Sequence, residues 1–506
     1  MVSIKSFMPR EYQKNILESA KKENTLVCLP TGTGKTKSAI LVAVERLNKF
    51  PSSKVVVVSP TKPLANQIAN EFRECIDMPE EKVQIVTGMI KPEERKKIFE
   101  DAHVVVATPQ TIRNDMENEL ITLKDTSLLV IDECHRSKQK YAYTAIARRY
   151  IEEGVNTLIL ALTASPGASK DKVEEICKNL FIKKVEIRTE EDEDIAPYVQ
   201  EKKVEFVKVY LSEEVKAVHK LVKEVYKRRV GELRNFGLTK PASIVNKRDI
   251  LAMQMRLRSE IDKGGRAAYA GVSLTAQCIK LAHMVELLET QPLSIAKDFL
   301  EKLKAEETKA AKAIMNERNI SLAYGRIESL LKKGVDHPKM EKVREVIQRE
   351  SELNPQFKGI VFATLRGTIS EIVDMLEKEG IKARKFVGQA DRKDKGLTQE
   401  EQAEIIKQFR EGEFSVLVAS SVAEEGLDIP EVNAVILFEA TPNELRKIQR
   451  SGRTGRTMPG KVICLLTEDT RDIVYHWSSH MKEKKMRVML KKMKEQGYVQ
   501  KELGEE

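Results

Sequence analysis

The sequence predicts an α/β fold: two parallel-sheet domains with an all-helical domain inserted between them. Three observations carry this. Short β-rich runs alternate with helical patterns over residues 23–210. A stretch rich in Lys, Glu, Ala and Leu follows over 212–335, with few strand-like runs. Alternation then resumes at His337-Pro338. Strand–helix alternation means crossover connections and a mostly parallel sheet covered on both faces. The expected domains are 1–210, 211–335 and 336–470, with a basic helical tail at 471–506.

Taken in order, the runs at 25–29, 54–59, 83–87, 103–107, 128–131 and 157–162 read as buried strands. The segments 36–47 and 63–74 carry helical periodicity between them. In the middle third, 277–288 and 293–303 have clear helical spacing, and Gly264-Gly265 and 235–242 read as turns. In the last third, strands are expected at 357–362, 383–387, 415–419, 434–438 and 462–466. Helices at 368–379, 398–410 and 444–451 fit between them.

A chain of 506 residues is long enough for several cores. No run of 18 apolar residues occurs, and residues 1–10 lack the apolar centre of a secretory signal, so no membrane partner is expected. The six cysteines are scattered with no Cys-x-x-Cys pair, which argues against a zinc site or a disulfide framework and suggests a reducing cytoplasm. Net charge is +10, and it is concentrated: residues 211–340 hold 25 basic against 16 acidic side chains. A basic segment beside neutral domains suggests a module that binds polyanions, although a solvated Lys/Glu-rich helical surface has the same composition. Lys227, Arg228 and Arg229 form its densest cluster.

The strand at 25–29 runs into Pro30-Thr31-Gly32-Thr33-Gly34-Lys35-Thr36 and then a helix, which is the setting a phosphate-binding loop needs. Small residues let backbone N–H groups converge, and the helix N-terminus adds its positive end. Lys35 would neutralise the β- and γ-phosphates, and the Thr36 hydroxyl would ligate Mg²⁺. Leu29 stands where the strict pattern has Gly.

The apolar run 128–131 leads directly into Asp132-Glu133-Cys134-His135, placing two carboxylates at the carboxyl edge of the sheet, where open α/β folds bind ligands. Asp132 is suited to hold Mg²⁺ and Glu133 to orient or deprotonate the attacking water. In the last third, Gln449-Arg450-Ser451-Gly452-Arg453-Thr454-Gly455-Arg456 offers Arg453 and Arg456 to stabilise charge on a transferred phosphoryl group from across a cleft.

Together Lys35-Thr36, Asp132 to His135, Thr163-Ala164-Ser165 and the Gln449 to Arg456 segment resemble the superfamily 2 helicases of the DExD/H type, in order and spacing over nearly the whole chain. The resemblance implies two RecA-like domains and a nucleic-acid-dependent ATPase using ATP and Mg²⁺. It implies that Arg10-Glu11-Tyr12-Gln13 reads adenine through Gln13. Thr61, Lys62 and Pro63, and likewise Thr108, Pro109 and Gln110, would grip the nucleic-acid backbone. Asp428, in Ala423 to Pro430, would lie near the ribose. Thr163 and Ser165 would couple the ATP site to lobe movement, with His135 contacting Gln449 across the cleft.

Within that superfamily the chain resembles the archaeal Hef and eukaryotic FANCM group. The carrying residues are Leu162 to Gly167, Lys385-Phe386-Val387-Gly388-Gln389, Gly396-Leu397-Thr398-Gln399 and Trp477-Ser478-Ser479, with an insert in the corresponding place and Glu286 to Thr290 fitting it. The resemblance implies action on forked, flapped or four-way DNA in replication-fork repair and recombination. It also implies archaeal origin, a nucleoid association in a prokaryote, and contacts to nucleic acid at Gly388 and Gln389. Cys134 departs from the group's frequent Ala without an evident consequence. The nuclease domain of many archaeal members is not among these 506 residues, and no nuclease activity is expected of them. The alternative implied by a helical insert is a double-stranded-RNA translocase of the RIG-I or Dicer type.

Overall fold

The computed structural model describes residues 1–496 apart from 139–140, 168, 200–201, 242–244, 264, 266–267, 389–395, 421–422, 424–428, 441–453 and 455–459. Apolar runs between helical segments become thirteen named strands: β1 (Thr25–Cys28), β2 (Lys54–Val58), β3 (Val83–Val86), β4 (Val104–Ala107), β5 (Thr126–Ile131), β6 (Ile159–Thr163), β7 (Lys184–Ile187), β8 (Lys202–Val209), β9 (Gly359–Phe362), β10 (Ala383–Phe386), β11 (Val416–Ala419), β12 (Ala434–Leu437) and β13 (Gly460–Thr467). Among the described residues they form two sheets, in the orders β3-β4-β2-β5-β6-β1-β7 and β10-β11-β9-β12-β13-β8. Every ladder between these strands is parallel.

The central strands β1, β2, β4, β5 and β6 are buried almost throughout, because helices cover both faces of the sheet. Their side chains split between two apolar cores, one on each face. The second sheet is likewise sandwiched between two cores.

Two strands depart from the sequence expectation. Residues 184–187 add β7 to the edge of the first sheet beside β1. Residues 202–209 lie inside the expected first domain, 1–210, yet β8 pairs with β13 along its whole length in the second sheet. Nothing local reveals this, because the partner strand lies some 250 positions further along the chain.

The middle third is helical: Glu213–Glu232, Lys247–Asp262, Ala268–Thr290, Leu293–Ala305, Lys309–Met315 and Arg318–Lys332 surround one apolar core. Ser212, Asn246 and Thr308 cap three of these helices through their side chains. The insert is fastened to the second lobe by hydrogen bonds from Thr368 Oγ1 to Gln291 Oε1 (2.7 Å) and from Arg471 Nη1 to the carbonyl of Ala282 (3.0 Å).

The expected helix at 444–451 lies outside the described residues. The tail forms the helix Arg471–Gln496, whose second half packs on the first lobe: Met486, Leu490 and Met493 join the core that holds Val173, Ile176 and Cys177. No helix of the described residues is long and apolar enough to cross a membrane.

Candidate active site

The strand order of the first sheet builds the site. β6 lies between β5 and β1, so the carboxyl ends of these three strands deliver the Asp132 segment, the Thr163 segment and the glycine-rich loop to one place. The loop turns through Gly32 (φ 81°) and Gly34 (φ 80°), both in the left-handed region that favours glycine. Gly34 caps the helix Lys35–Lys49, and a Cβ there would also stand 3.0 Å from Gln13 Nε2. The loop's backbone and the helix N-terminus therefore form a concavity of the kind that suits an anion, with Thr31 and Thr36 half-buried in the same segment.

The segment before the first helix braces this loop from beneath. The buried Tyr12 hydroxyl donates to the carbonyl of Thr33, and Gln13 Nε2 donates to that of Gly34 at 3.4 Å. Thr33 closes the turn on itself, Oγ1 donating to the carbonyl of Pro30 at 2.8 Å. Gln13 Oε1 accepts from the Arg10 amide at 3.0 Å.

Lys35 Nζ reaches to 4.0 Å from Glu133 Oε1, and the other oxygen of that carboxylate is 3.2 Å from His135 Nδ1. The same ring nitrogen lies 3.2 Å from Thr163 Oγ1, which accepts from the Ser165 amide at 3.1 Å. Asp132 is buried; it takes a hydrogen bond from Ser59 Oγ (3.2 Å) on its carboxylate and one from the Tyr143 hydroxyl (2.7 Å) on its carbonyl. Glu133 adopts a left-handed backbone (φ 48°), a strained conformation for a residue with a side chain and one that clusters at functional sites.

The two adjacent carboxyls are pushed in opposite directions. Burial and the neighbouring Glu133 charge drive Asp132 above the usual carboxylate range. Burial acts the same way on Glu133, but Lys35 and His135 outweigh it and hold that carboxyl below its ordinary value. Cys134 is buried and its thiol raised well above the ordinary value by that burial, so it is inert.

The residues expected to grip nucleic acid sit at the same sheet edge on neighbouring strands. Thr61 caps the helix Lys62–Cys75 after β2, with Pro63 in its first turn, and Thr108 precedes the helix Pro109–Glu117 after β4. Lys62 is half-buried and Gln110 exposed. Two helix N-termini side by side suit phosphate oxygens. In the second lobe, Gly388 follows β10, and its carbonyl accepts from the Leu397 amide at 3.3 Å. Gln389, Asp428, Gln449, Arg453 and Arg456 lie outside the described residues, and with them the expected contact between His135 and Gln449.

Of the densest basic cluster in the insert, Arg228 and Arg229 both pair with Glu317, and Arg229 also with Glu232, while Lys227 is exposed. Both arginines thus carry ion pairs within the insert itself. Sequence reasoning missed Tyr12, Ser59 and Tyr143, which hold the loop and Asp132 through single hydroxyls. Such hydroxyls carry no motif; their role depends on chain segments brought together only by the fold.

A glycine-rich phosphate loop, an Asp-Glu-Cys-His segment beside it, and a helical bundle between two parallel-sheet lobes define a superfamily 2 helicase of the DExD/H type. Comparison with known proteins agrees along the chain: residues 10–173 match the DEAD/DEAH box helicase family, 338–458 the helicase conserved C-terminal domain, and 214–337 the family described as "Putative ATP-dependent RNA helicase, helical bundle". The crystal structure of the Pyrococcus furiosus Hef helicase domain is 43% identical, with a TM-score of 0.73, covering 93% of this chain and 98% of that one. The chain belongs to the Hef/FANCM family of ATP-dependent helicases, and the family resemblance covers its helicase part.

Among curated relatives, "Putative ATP-dependent RNA helicase MJ1505" of Methanocaldococcus jannaschii is 38% identical over 97% of this chain and 62% of its own length. The Fanconi anemia group M protein homolog of Mus musculus is 32% identical over 94% of this chain, and the ATP-dependent DNA helicase fml1 of Schizosaccharomyces pombe 32% over 90%. The chain spans 25% of the mouse protein and 57% of the yeast one.

Proposed function

We propose that this chain hydrolyses ATP to translocate along and remodel branched DNA, such as forks and four-way junctions, in fork repair and recombination. The observation that carries the ATPase reading is the convergence of Lys35, Glu133, His135 and Thr163 at the carboxyl ends of adjoining strands, with Asp132 beside them.

In this reading the loop from Thr31 to Thr36 cradles the phosphates, and Gln13 reads the adenine. Thr36 and Asp132 offer hard oxygen donors suited to Mg²⁺, which when bound neutralises charge on the β- and γ-phosphates. Glu133, kept ionised by Lys35 and His135, orients the attacking water. Arg453, Arg456 and Gln449 complete the site from the second lobe, and Asp428 approaches the ribose. Hydrolysis occurs only when the lobes close, because neither lobe holds every group. Nucleic acid lies across the helix N-termini at Thr61 and Thr108, and across Gly388 and Gln389, through backbone contacts that do not read sequence.

A DNA substrate is supported by kinship, since the fission yeast relative is named a DNA helicase; its branched form rests on the resemblance to the Hef and FANCM group. A double-stranded-RNA reading has its own support, since the M. jannaschii relative and the helical-bundle family are named for RNA helicases. Steady-state ATP hydrolysis at fixed moderate salt separates the two. Forked and four-way DNA are expected to stimulate turnover more than linear duplex or double-stranded RNA. Stronger stimulation by RNA would replace the DNA reading.

A further inference from the structure

The helix Arg471–Gln496 begins in the second lobe, directly after β13. Its first residues are held there: Asp472 pairs with Lys339 and accepts from the Ala440 amide at 3.1 Å, while the Arg471 amide donates to Glu289 of the insert at 3.1 Å. Twenty-six residues of helix reach about 39 Å at 1.5 Å per residue. That length carries the other end to the first lobe, where Met486, Leu490 and Met493 form an i, i+4, i+7 stripe buried in its core. Lys494 pairs with Asp192 at the same end.

Along this stripe one contact differs in kind from the rest. The Ser165 hydroxyl donates to the thioether sulfur of Met486 at 2.9 Å, and both residues are buried. From the backbone amide of Ser165 a series of polar contacts leads towards the phosphate loop. Ser165 donates its amide to Thr163 Oγ1 (3.1 Å), Thr163 meets His135 Nδ1 (3.2 Å), His135 meets Glu133 (3.2 Å), and Glu133 faces Lys35 (4.0 Å). A helix anchored in the second lobe and the insert thus ends on the chain of groups that orients the carboxylate beside the phosphate site.

We propose that Met486 is a positioning residue for ATP hydrolysis. Its sulfur fixes the Ser165 side chain, and so the placement of the residue whose amide anchors the Thr163–His135–Glu133 chain; the tail helix thereby makes the orientation of Glu133 depend on where the second lobe and the insert stand. The proposal rests on the reading of Glu133 as the residue that orients the attacking water. Helices transmit displacement well because they are stiff along their axis. A thioether is a weak acceptor, so the contact can be broken and remade as the lobes move.

The test is steady-state ATP hydrolysis with and without saturating forked DNA, comparing the wild type with Met486→Leu, Met486→Gln, Ser165→Ala and the Met486→Leu/Ser165→Ala pair. Leucine keeps the volume and removes the acceptor; such swaps are well tolerated in cores. Glutamine keeps the length and restores an acceptor oxygen. Met486→Leu is expected to lower kcat about two- to threefold, the rate equivalent of one weak hydrogen bond, with KM for ATP unchanged. Met486→Gln is expected to lie nearer the wild type, and Met486→Leu to add nothing once Ser165 is Ala. Three results would overturn the role: a Met486→Leu enzyme with wild-type kcat, a Met486→Gln enzyme no better than the leucine variant, or an equal fall in the Ser165→Ala background, which is what loss of packing alone gives. A wild-type chain that turns over no ATP would overturn the ATPase reading and this role with it.

Discussion

Lys339 and Asp472 form an ion pair in which neither side chain has any solvent-exposed surface. Lys339 Nζ also donates to the carbonyl of Phe438 (2.7 Å), and Asp472 accepts amides from Ala440 (3.1 Å) and Thr467 (3.2 Å). The pair joins the start of the helix Pro338–Leu353, where the chain leaves the insert, to the start of the tail helix. A buried pair so fully hydrogen-bonded holds two elements in register, and breaking it from one side leaves a buried charge without its partner.

Lys339→Met is therefore expected to destabilise the protein by about 3–5 kcal/mol. Chemical denaturation followed by circular dichroism measures this. A cost below about 1 kcal/mol would mean that Asp472 finds water or another cation.

His337, next but one to that lysine, is buried and held neutral; burial first, then the Lys339 charge, pushes it down to about 3 from 6.5. Its Nδ1 accepts the Lys339 amide at 3.2 Å, which leaves Nε2 as donor to the carbonyl of Glu289, also at 3.2 Å. Between pH 6.5 and 3 the unfolded chain binds a proton here that the folded chain refuses, so stability falls as pH drops through that window and is unaffected above it. The slope approaches about 1.4 kcal/mol per pH unit. His337→Asn keeps a cap for the Lys339 amide and removes the titration. The stability gap between wild type and variant should therefore narrow from pH 7 to pH 5, read from thermal midpoints. A constant gap would contradict the assignment.

Tyr143→Phe removes the hydroxyl that satisfies the carbonyl of Asp132 in a buried setting. A cost of about 1–2 kcal/mol in stability is expected, together with a several-fold loss of turnover because the Asp132 backbone loses its brace. Unchanged turnover would show that the sheet alone fixes Asp132.

Lys35→Ala is expected to abolish ATP hydrolysis while leaving nucleic-acid binding intact, because Lys35 faces Glu133 and the phosphate loop and not the helix termini at Thr61 and Thr108. Filter binding or fluorescence anisotropy at fixed salt checks the second half, since phosphate-dominated affinity depends steeply on salt. Retained turnover would remove the phosphate role of this loop.

The parts of the fold legible in the sequence are those whose signal is local. The loop around Lys35 and the Asp132 segment each sit at the end of a continuous apolar run, so strand, turn and chemistry are written within a dozen residues. β7 and β8 were not legible. β7 is an edge strand with mostly half-buried side chains, and β8, Lys-Lys-Val-Glu-Phe-Val-Lys-Val, leaves Val204 and Phe206 about half exposed. Charged, alternating strands at sheet edges resemble loops when read alone, and the partner of β8 is remote. The tail read as basic because lysines crowd its outer face; the docked stripe of Met486, Leu490 and Met493 is hidden among them. The Tyr12, Ser59 and Tyr143 hydroxyls are invisible for the same reason: each acts on a backbone or carboxylate that only the fold brings near.

The most direct measurement is conversion of a labelled four-way DNA junction by the wild-type chain and by Glu133→Gln, each with ATP and Mg²⁺. Rearrangement of the junction by the wild type, and binding without rearrangement by the variant, is the result predicted. A junction left unchanged by a wild-type chain that hydrolyses ATP, or one rearranged equally by the variant, would contradict it.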